Sequence, residues 1–111
     1  MHRIDCLQYC NWSEKIFRQM REGGVDAVHV TIAYHEMFRE TVTNIEQWNR
    51  WFETFPDLIF QGRTGDDVRR ARREGRTAIF SGFQNPSPIE DDIGLVEICH
   101  TLGARFMQLT Y

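Results

Sequence analysis

The sequence predicts an α/β fold in which parallel strands alternate with helices, as in the opening part of a parallel βα-barrel. Three observations support this prediction. Short β-like runs alternate with segments that carry apolar residues at helical spacing. Glycine and proline punctuate the boundaries between these segments. One run, residues 25–33, is nearly continuously apolar and rich in β-branched residues, as strands buried on both faces of a sheet tend to be.

The first unit is a short strand at residues 3–7 followed by a helix. Ser13 is a good N-cap, and the residues after it place apolar side chains on one helical face: Ile16, Phe17 and Met20. Gly23 and Gly24 predict the end of this helix, because glycine suits the left-handed position that closes many helices.

The second unit is the clearest one. The strand at residues 25–33 precedes a capping box, Thr43 to Glu46, which predicts the start of a helix. An apolar stripe at helical spacing follows until Pro56: Ile45, Trp48, Phe52 and Phe55.

The remaining elements follow the same alternation. A short strand at residues 58–61 precedes a helix that Thr64 starts and Gly75 ends, and residues 77–83 form the next strand. The two prolines in residues 85–88 predict a loop. The final elements are predicted to be a helix at residues 89–102, ended by a glycine, and a strand at residues 105–111.

This pattern predicts four to five parallel strands with intervening helices in a single domain, residues 1–111. Parallel strands that are apolar on both faces need a neighbour on each edge, which a closed (β/α)₈ barrel supplies. An open doubly wound sheet is the competing arrangement, and the pattern alone leaves both open.

Composition narrows the function classes. A hydrophobic share of 41% indicates a packed core, and no apolar run approaches the length of about 20 residues that crosses a bilayer. The amino terminus also lacks the apolar stretch of a signal peptide. We therefore expect a soluble cytoplasmic protein without a membrane partner. Its three cysteines include no CxxC pair, so reduced thiols are expected.

A net charge of -3 argues against a nucleic-acid partner. One local basic cluster stands out: Arg69, Arg70, Arg72, Arg73 and Arg76. We interpret it as a solvated helix face, because no aromatic residues interleave it as base stacking would require. Nucleic-acid binding through this cluster is the alternative.

Reactive groups in βα folds gather at the carboxyl ends of the strands. Six polar residues near the predicted strand ends are the candidates for a pocket: Asp5, Gln8, His35, Glu36, Gln84 and Asn85. Taken singly, each could equally be a loop residue or a helix cap. His35-Glu36 begins like the zinc motif HExxH, but Arg39 replaces its second histidine. His29 lies inside a strand and is interpreted as an interior residue rather than a ligand.

Several stretches are similar to one family: Ile4-Asp5, Gly23-Gly24-Val25, the Trp48 helix closing on Phe55-Pro56-Asp57, Asp66-Asp67-Val68, and the run from Leu102-Gly103 to Leu109-Thr110. In these features the chain resembles the N-terminal part of the renal (membrane) dipeptidases, peptidase family M19, within the amidohydrolase-like metal-dependent barrels. The resemblance covers nearly the whole chain, and its last stretch is the most specific.

The resemblance implies a (β/α)₈ barrel whose rim binds two zinc ions and hydrolyses dipeptides with a metal-activated water. The substrate would be a small peptide or amide. The family's first strand ends in a His-x-Asp pair, and those positions hold Leu7 and Tyr9 here. The family's metal-bridging glutamate falls on Gln84, a neutral amide. The family's other ligands lie on later strands.

These replacements keep polar groups at the rim. Our hypothesis is that the six candidates line a modified pocket whose metal content is reduced or absent, and that the chain by itself lacks a complete active site. The alternative is a non-catalytic, dipeptidase-like scaffold that forms a homo-oligomer through open barrel edges.

Overall fold

A computed structural model describes residues 1–109 of the chain. It contains five strands: β1 (Ile4–Gln8), β2 (Ala27–Ala33), β3 (Ile59–Gln61), β4 (Thr77–Phe83) and β5 (Ala104–Met107). Four α-helices connect them: α1 (Glu14–Glu22), α2 (Phe38–Thr54), α3 (Gly65–Glu74) and α4 (Leu95–Thr101). A 3₁₀ turn at Ser87–Ile89 precedes α4. All five predicted strands are confirmed, although residues 110 and 111, the end of the predicted last strand, lie outside the described residues.

The five strands form one parallel sheet in the order β1-β2-β4-β3, and β5 also pairs with β4. Since β2 occupies one edge of β4 along its length, β3 and β5 share the other edge end to end. Gly103 lies at their junction with φ of 113°, and a Cβ there would overlap the side-chain amide of Gln61. The end of the Gln61 side chain could shift away, so it is the positive φ that favours glycine at position 103.

The strand order places the helices on two faces. The connection from β3 back to β4 runs opposite to the others, so right-handed crossovers put α3 on the opposite face from α1, α2 and α4. The packing agrees with this arrangement. On the outer face, Phe17 and Trp48 pack with Val28. On the inner face, Val68 and Ala71 of α3 pack with a second cluster: Ala27, Phe60, Ala78 and Phe80.

The start of α2 differs from the prediction. The helix begins at Phe38, so the predicted start at Thr43 is wrong. The backbone N–H of Met37 donates to the Glu40 carboxylate at 2.7 Å, which caps the helix one turn earlier. The Thr43 hydroxyl donates to the carbonyl of Arg39, four residues back, as it does inside a helix.

The predicted helix at residues 89–102 is also too long, because α4 begins only at Leu95. Glu90 has a positive φ of 57°, which interrupts any helix at that point. The Asp92 carboxylate then accepts a hydrogen bond from the Gly94 N–H at 2.9 Å and holds a turn. The Glu90 carboxylate reaches across to accept from the Phe38 N–H at 3.0 Å, which ties this loop to the start of α2.

Two of the three helix stops predicted from glycine, those of α3 and α1, are confirmed in different detail. Gly75 ends α3 in the left-handed conformation, and Thr64 caps its start. At the end of α1, Gly23 is right-handed and Gly24 has the positive φ of 68°. None of the helices within residues 1–109 is both long enough and apolar enough to cross a membrane.

Candidate functional site

The candidate site lies at the carboxyl ends of the parallel strands, which meet at one rim of the sheet. Backbone hydrogen bonds continue past the strand ends and fix the neighbouring loops there. The Gln84 N–H donates to the Ala33 carbonyl at 2.9 Å, and the Gln108 N–H donates to the Phe83 carbonyl at 3.0 Å. The residues that follow β2, β4 and β5 are therefore held side by side.

Asp5, the second residue of β1, and Gln8, its last residue, form one local hydrogen-bonded group. The Gln8 side-chain amide donates to one carboxylate oxygen of Asp5 at 2.7 Å, and the Leu7 N–H donates to the other at 3.1 Å. The pairing of β1 with β2 shifts register between Asp5 and Gln8, which is a β-bulge. The Asp5 carboxylate therefore accepts the backbone N–H of Leu7, which lies within the irregular part of the ladder.

Gln84 is buried at the end of β4, with 7% of its surface exposed. Its amide nitrogen donates to the Thr31 hydroxyl of β2 at 2.7 Å. This bond fixes the nitrogen toward Thr31 and the oxygen toward the opposite side of the amide. Gln84 thus occupies the rim as an oriented neutral group.

Glu36 and Asn85 bind the backbone that follows β2. One Glu36 carboxylate oxygen accepts from the N–H groups of Tyr34 and His35, at 2.6 and 3.0 Å. Partial burial alone would raise the pKa of the Glu36 carboxyl, but backbone hydrogen bonds and His35 outweigh it and hold the pKa below its ordinary value. The Asn85 side-chain amide donates to the Tyr34 carbonyl, and the Ser87 hydroxyl donates to the Glu36 carbonyl at 2.8 Å.

The six candidates thus fall into three hydrogen-bonded groups rather than one continuous network. Gln84 lines a rim cavity of about 270 Å³, while Glu36 lines a separate cleft of about 380 Å³ beside α2. Asp5 and Asn85 line two further cavities. His35 is exposed, and its ring lies 3.9 Å from that of Tyr34. That all six share one pocket stays a prediction.

His29 is a rim-side group whose environment the sequence did not show. Its Nδ1 lies 2.7 Å from the Cys6 carbonyl, and its ring stacks on Phe106 at 4.5 Å. Nδ1 therefore carries the proton, and the buried Nε2 lies against Gly82 without a hydrogen-bond partner among residues 1–109. Burial lowers the pKa of His29, and the bond to Cys6 opposes this shift only in part. The interpretation of His29 as an interior residue fits these contacts.

The residues at the rim do not fit a zinc pair. Across the described part of the chain, no group of three or more His, Cys, Asp or Glu side chains is placed to hold a metal ion. The three positions that the resemblance assigns to ligands hold Leu7, Tyr9 and Gln84. A leucine has no donor atom, and the Gln84 amide is neutral and already bonded to Thr31.

The arginine cluster, which lies on α3 and at Arg76 just after it, is largely paired with acidic groups. Arg69 pairs with Asp66, and both Arg70 and Arg76 pair with Glu74. Arg72 lies 3.4 Å from the buried Asp26 carboxylate. These contacts give the cluster a structural role, and the absence of a nucleic-acid partner stays a prediction.

Comparison with known proteins decides the family. The model of the membrane dipeptidase family (peptidase family M19) matches residues 10–111. The chain belongs to this family. This membrane dipeptidase family chain is similar to dipeptidase tcpJ of Claviceps purpurea, at 29% identity over 78% of this chain and 19% of that protein. It is also similar to dipeptidase verJ of Clonostachys rogersoniana, at 28% identity over 74% of this chain and 21% of that protein.

Solved structures of similar proteins establish the fold. An amidohydrolase from Pseudomonas aeruginosa superposes with a TM-score of 0.94 at 36% identity, over 99% of this chain and 34% of that one. The dipeptidase AC, a metallopeptidase of family M19, superposes with a TM-score of 0.81 at 16% identity, over 100% of this chain and 43% of that one. The predicted fold, a portion of a (β/α)₈ barrel, is therefore confirmed. The chain spans about a fifth of the matched dipeptidases and about a third of the amidohydrolase.

Proposed function

We propose that this membrane dipeptidase family chain forms one side of a barrel that binds a small peptide or amide at the carboxyl ends of its strands. Family membership supports the peptide or amide class, because the similar curated proteins are dipeptidases. In this proposal the chain contributes neutral and hydrogen-bonding groups to the rim. In this proposal Leu7, Tyr9 and Gln84 do not bind zinc as the ligands of a metallodipeptidase would. The chain alone therefore does not hydrolyse dipeptides.

The contact between Gln84 and Thr31 carries this proposal. A bridging carboxylate would present negative charge and two oxygen donors to a pair of cations. The buried Gln84 amide instead donates its N–H to Thr31, so it offers one neutral oxygen on the other side. Such an oxygen can accept a hydrogen bond from an amide N–H of a peptide, which matches the proposed ligand class.

Two measurements on the purified chain test this proposal. After incubation with zinc and desalting, elemental analysis should find well under one zinc ion per chain. Incubation with a dipeptide should release no free amino acid above the protein-free blank. Two tightly bound zinc ions per chain, or dipeptide hydrolysis that a chelator abolishes, would overturn it.

A second function, a non-catalytic scaffold that forms a homo-oligomer, is favoured by the open sheet. Within residues 1–109 the outer edges of β1 and β5 have no strand partner. Apolar side chains on these strands are exposed: Ile4 is 57% and Phe106 is 48% accessible. Unpaired edges with apolar residues recruit other chains. Light scattering after size-exclusion chromatography should then give a mass that is a multiple of the chain mass, whereas a monomer with a cooperative melt would contradict the scaffold.

We also propose a cytoplasmic location. Cys6 and Cys10 are exposed free thiols, and Cys99 is a buried one. Exposed free thiols persist in a reducing compartment. Detection of the protein in the cytosolic fraction, with all three thiols reactive after denaturation, would support this location.

A further inference from the structure

The cleft beside α2 opens where the pairing of β1 with β2 stops. The last paired position is Gln8 with Val30, after which the chain turns away from β2. β2 continues to Ala33, so its edge toward β1 is free over its last residues. The free edge, the segment at residues 9–12 and α2 enclose the cleft of about 380 Å³.

Side chains satisfy backbone groups at this free edge and in the residues just after it. The Asn44 amide of α2 donates to the Ile32 carbonyl at 2.9 Å. One oxygen of Glu36 accepts from the Tyr34 and His35 N–H groups. The Glu36 carboxylate is therefore held in place by one oxygen and by its own backbone N–H, and no other described residue donates a hydrogen bond to its second oxygen. Its lowered pKa keeps it ionised at neutral pH.

Aromatic rings form much of the remaining wall. Five aromatic residues line the cleft: Tyr9, Trp12, Tyr34, Trp48 and Trp51. Their rings pack in two groups. The ring centroids of Tyr9 and Tyr34 are 6.1 Å apart, and the ring of Trp48 lies 5.1 Å from that of Trp12 and 4.7 Å from that of Trp51. Aromatic faces attract cations through their quadrupoles.

The charge balance of the cleft selects the sign of the ligand. Of the lining residues, which all lie within the described chain, Glu36 is the only charged one and none is Lys, Arg or His. The Cys10 thiol also lines the cleft. The residue is exposed overall, but partial burial of the thiol raises its pKa, so it adds no charge at neutral pH. Two exposed amides, Asn11 and Gln47, complete the polar lining. The cleft therefore combines one fixed anion with aromatic faces and neutral hydrogen-bonding groups.

We propose that this cleft binds a small organic cation, an ammonium group that contacts the second oxygen of Glu36 and the faces of the aromatic rings. The ammonium group could belong to the amino terminus of a small peptide or to a free amine. This inference rests on the proposed function only where it names a peptide as one source of the ammonium group. A simple quaternary ammonium ion tests the cleft independently of that function.

Intrinsic fluorescence gives a direct assay, because all three tryptophans of the chain line this cleft. The purified chain is titrated with Ala-Ala, with N-acetyl-Ala-Ala and with tetramethylammonium chloride, at ionic strength matched by sodium chloride. A saturable change with Ala-Ala and tetramethylammonium, and none with the acetylated dipeptide or sodium chloride, is the expected result. Saturation by tetramethylammonium but not by Ala-Ala would keep the cation site and reject the peptide as its source. No saturable change with either cation, or equal binding of the acetylated dipeptide, would overturn the inference.

Matched variants assign the effect to the carboxylate. Glu36→Gln keeps an oxygen that can accept from Tyr34 and His35 but removes the charge, and it should weaken cation binding by about tenfold or more. Glu46→Gln changes an exposed carboxylate of α2 that does not line the cleft, so binding should be unchanged. Gln47→Lys places a cation in the cleft from an exposed position on the helix, and it should weaken cation binding at least as much. This second variant tests the inference if Glu36→Gln does not fold. Unaltered affinity in folded Glu36→Gln or Gln47→Lys would contradict it.

Discussion

The contact between Gly82 and His29 provides the sharpest test of the packing at the rim. A Cβ at position 82 would lie 2.6 Å from Cδ2 and 2.9 Å from Cε1 of the His29 ring, and closer still to Nε2. The ring cannot move freely, because its Nδ1 is bonded to the Cys6 carbonyl and its face stacks on Phe106. Gly82→Ala must therefore both overpack the sheet interior and push the His29 ring away from its bond to Cys6.

The magnitude follows from these two outcomes. Overpacking a well-packed interior costs about 1–3 kcal/mol, and loss of the hydrogen bond to Cys6 adds about 1 kcal/mol. We expect Gly82→Ala to lower the free energy of unfolding by about 2–4 kcal/mol, measured by urea denaturation. Gly65→Ala is the matched control, because a Cβ there meets nothing within 4 Å, and it should be close to neutral.

A double-mutant cycle identifies the cause. In a His29→Ala background the ring is absent, so Gly82→Ala should then cost less than about 1 kcal/mol. A coupling energy near zero would refute the reasoning, since Gly82 would then be required for some reason other than the His29 ring. Equal costs for Gly82→Ala and Gly65→Ala would refute it as well.

Three further predictions concern stability. The pKa of His29 is lowered in the folded chain, so the unfolded chain binds a proton at His29 more readily. The contribution of His29 to the free energy of unfolding should be fully present above the unfolded pKa of about 6.5, and it should fall as pH drops toward the folded pKa. Urea midpoints at pH 7.5 and 5.5 should show this loss, and His29→Gln should reduce it. Asp26→Asn should cost about 1 kcal/mol or more in thermal melts at pH 7, because the buried carboxylate accepts from the Arg3 N–H and pairs with Arg72. Glu40→Ala should cost about 1 kcal/mol by removing the cap of α2, whereas Glu46→Ala, in the same helix, should not.

Elements were predictable from the sequence where local signals decide them. Thr64 and Gly75 bound α3 as predicted, because a cap and a left-handed glycine act within one turn of the helix. The start of α2 depends partly on a distant residue. The Glu90 carboxylate, 52 residues further along the chain, accepts a hydrogen bond from the Phe38 N–H in the first turn of the helix, and no local sequence pattern reveals this contact.

The candidate site shows the same division. Strand ends were readable from hydrophobic periodicity, so the polar residues near the rim could be named in advance. Their partners could not be named, because Gln84 meets Thr31 from 53 residues away and His29 meets Cys6 only through the register of β1 against β2. Register requires the assembled sheet, which sequence patterns do not specify.

The hydrogen bonds of the rim also determine how substitutions there must be interpreted. Asp5 accepts from the backbone at the β-bulge, and Glu36 accepts from the backbone that follows β2. Replacing either residue with alanine leaves backbone N–H groups without a partner and destabilises the chain, whatever its function. A loss of binding in an alanine variant would therefore not distinguish a ligand contact from a folding defect. The amide variants keep the accepting oxygen and remove only the charge, so Glu36→Gln separates the two roles of that carboxylate.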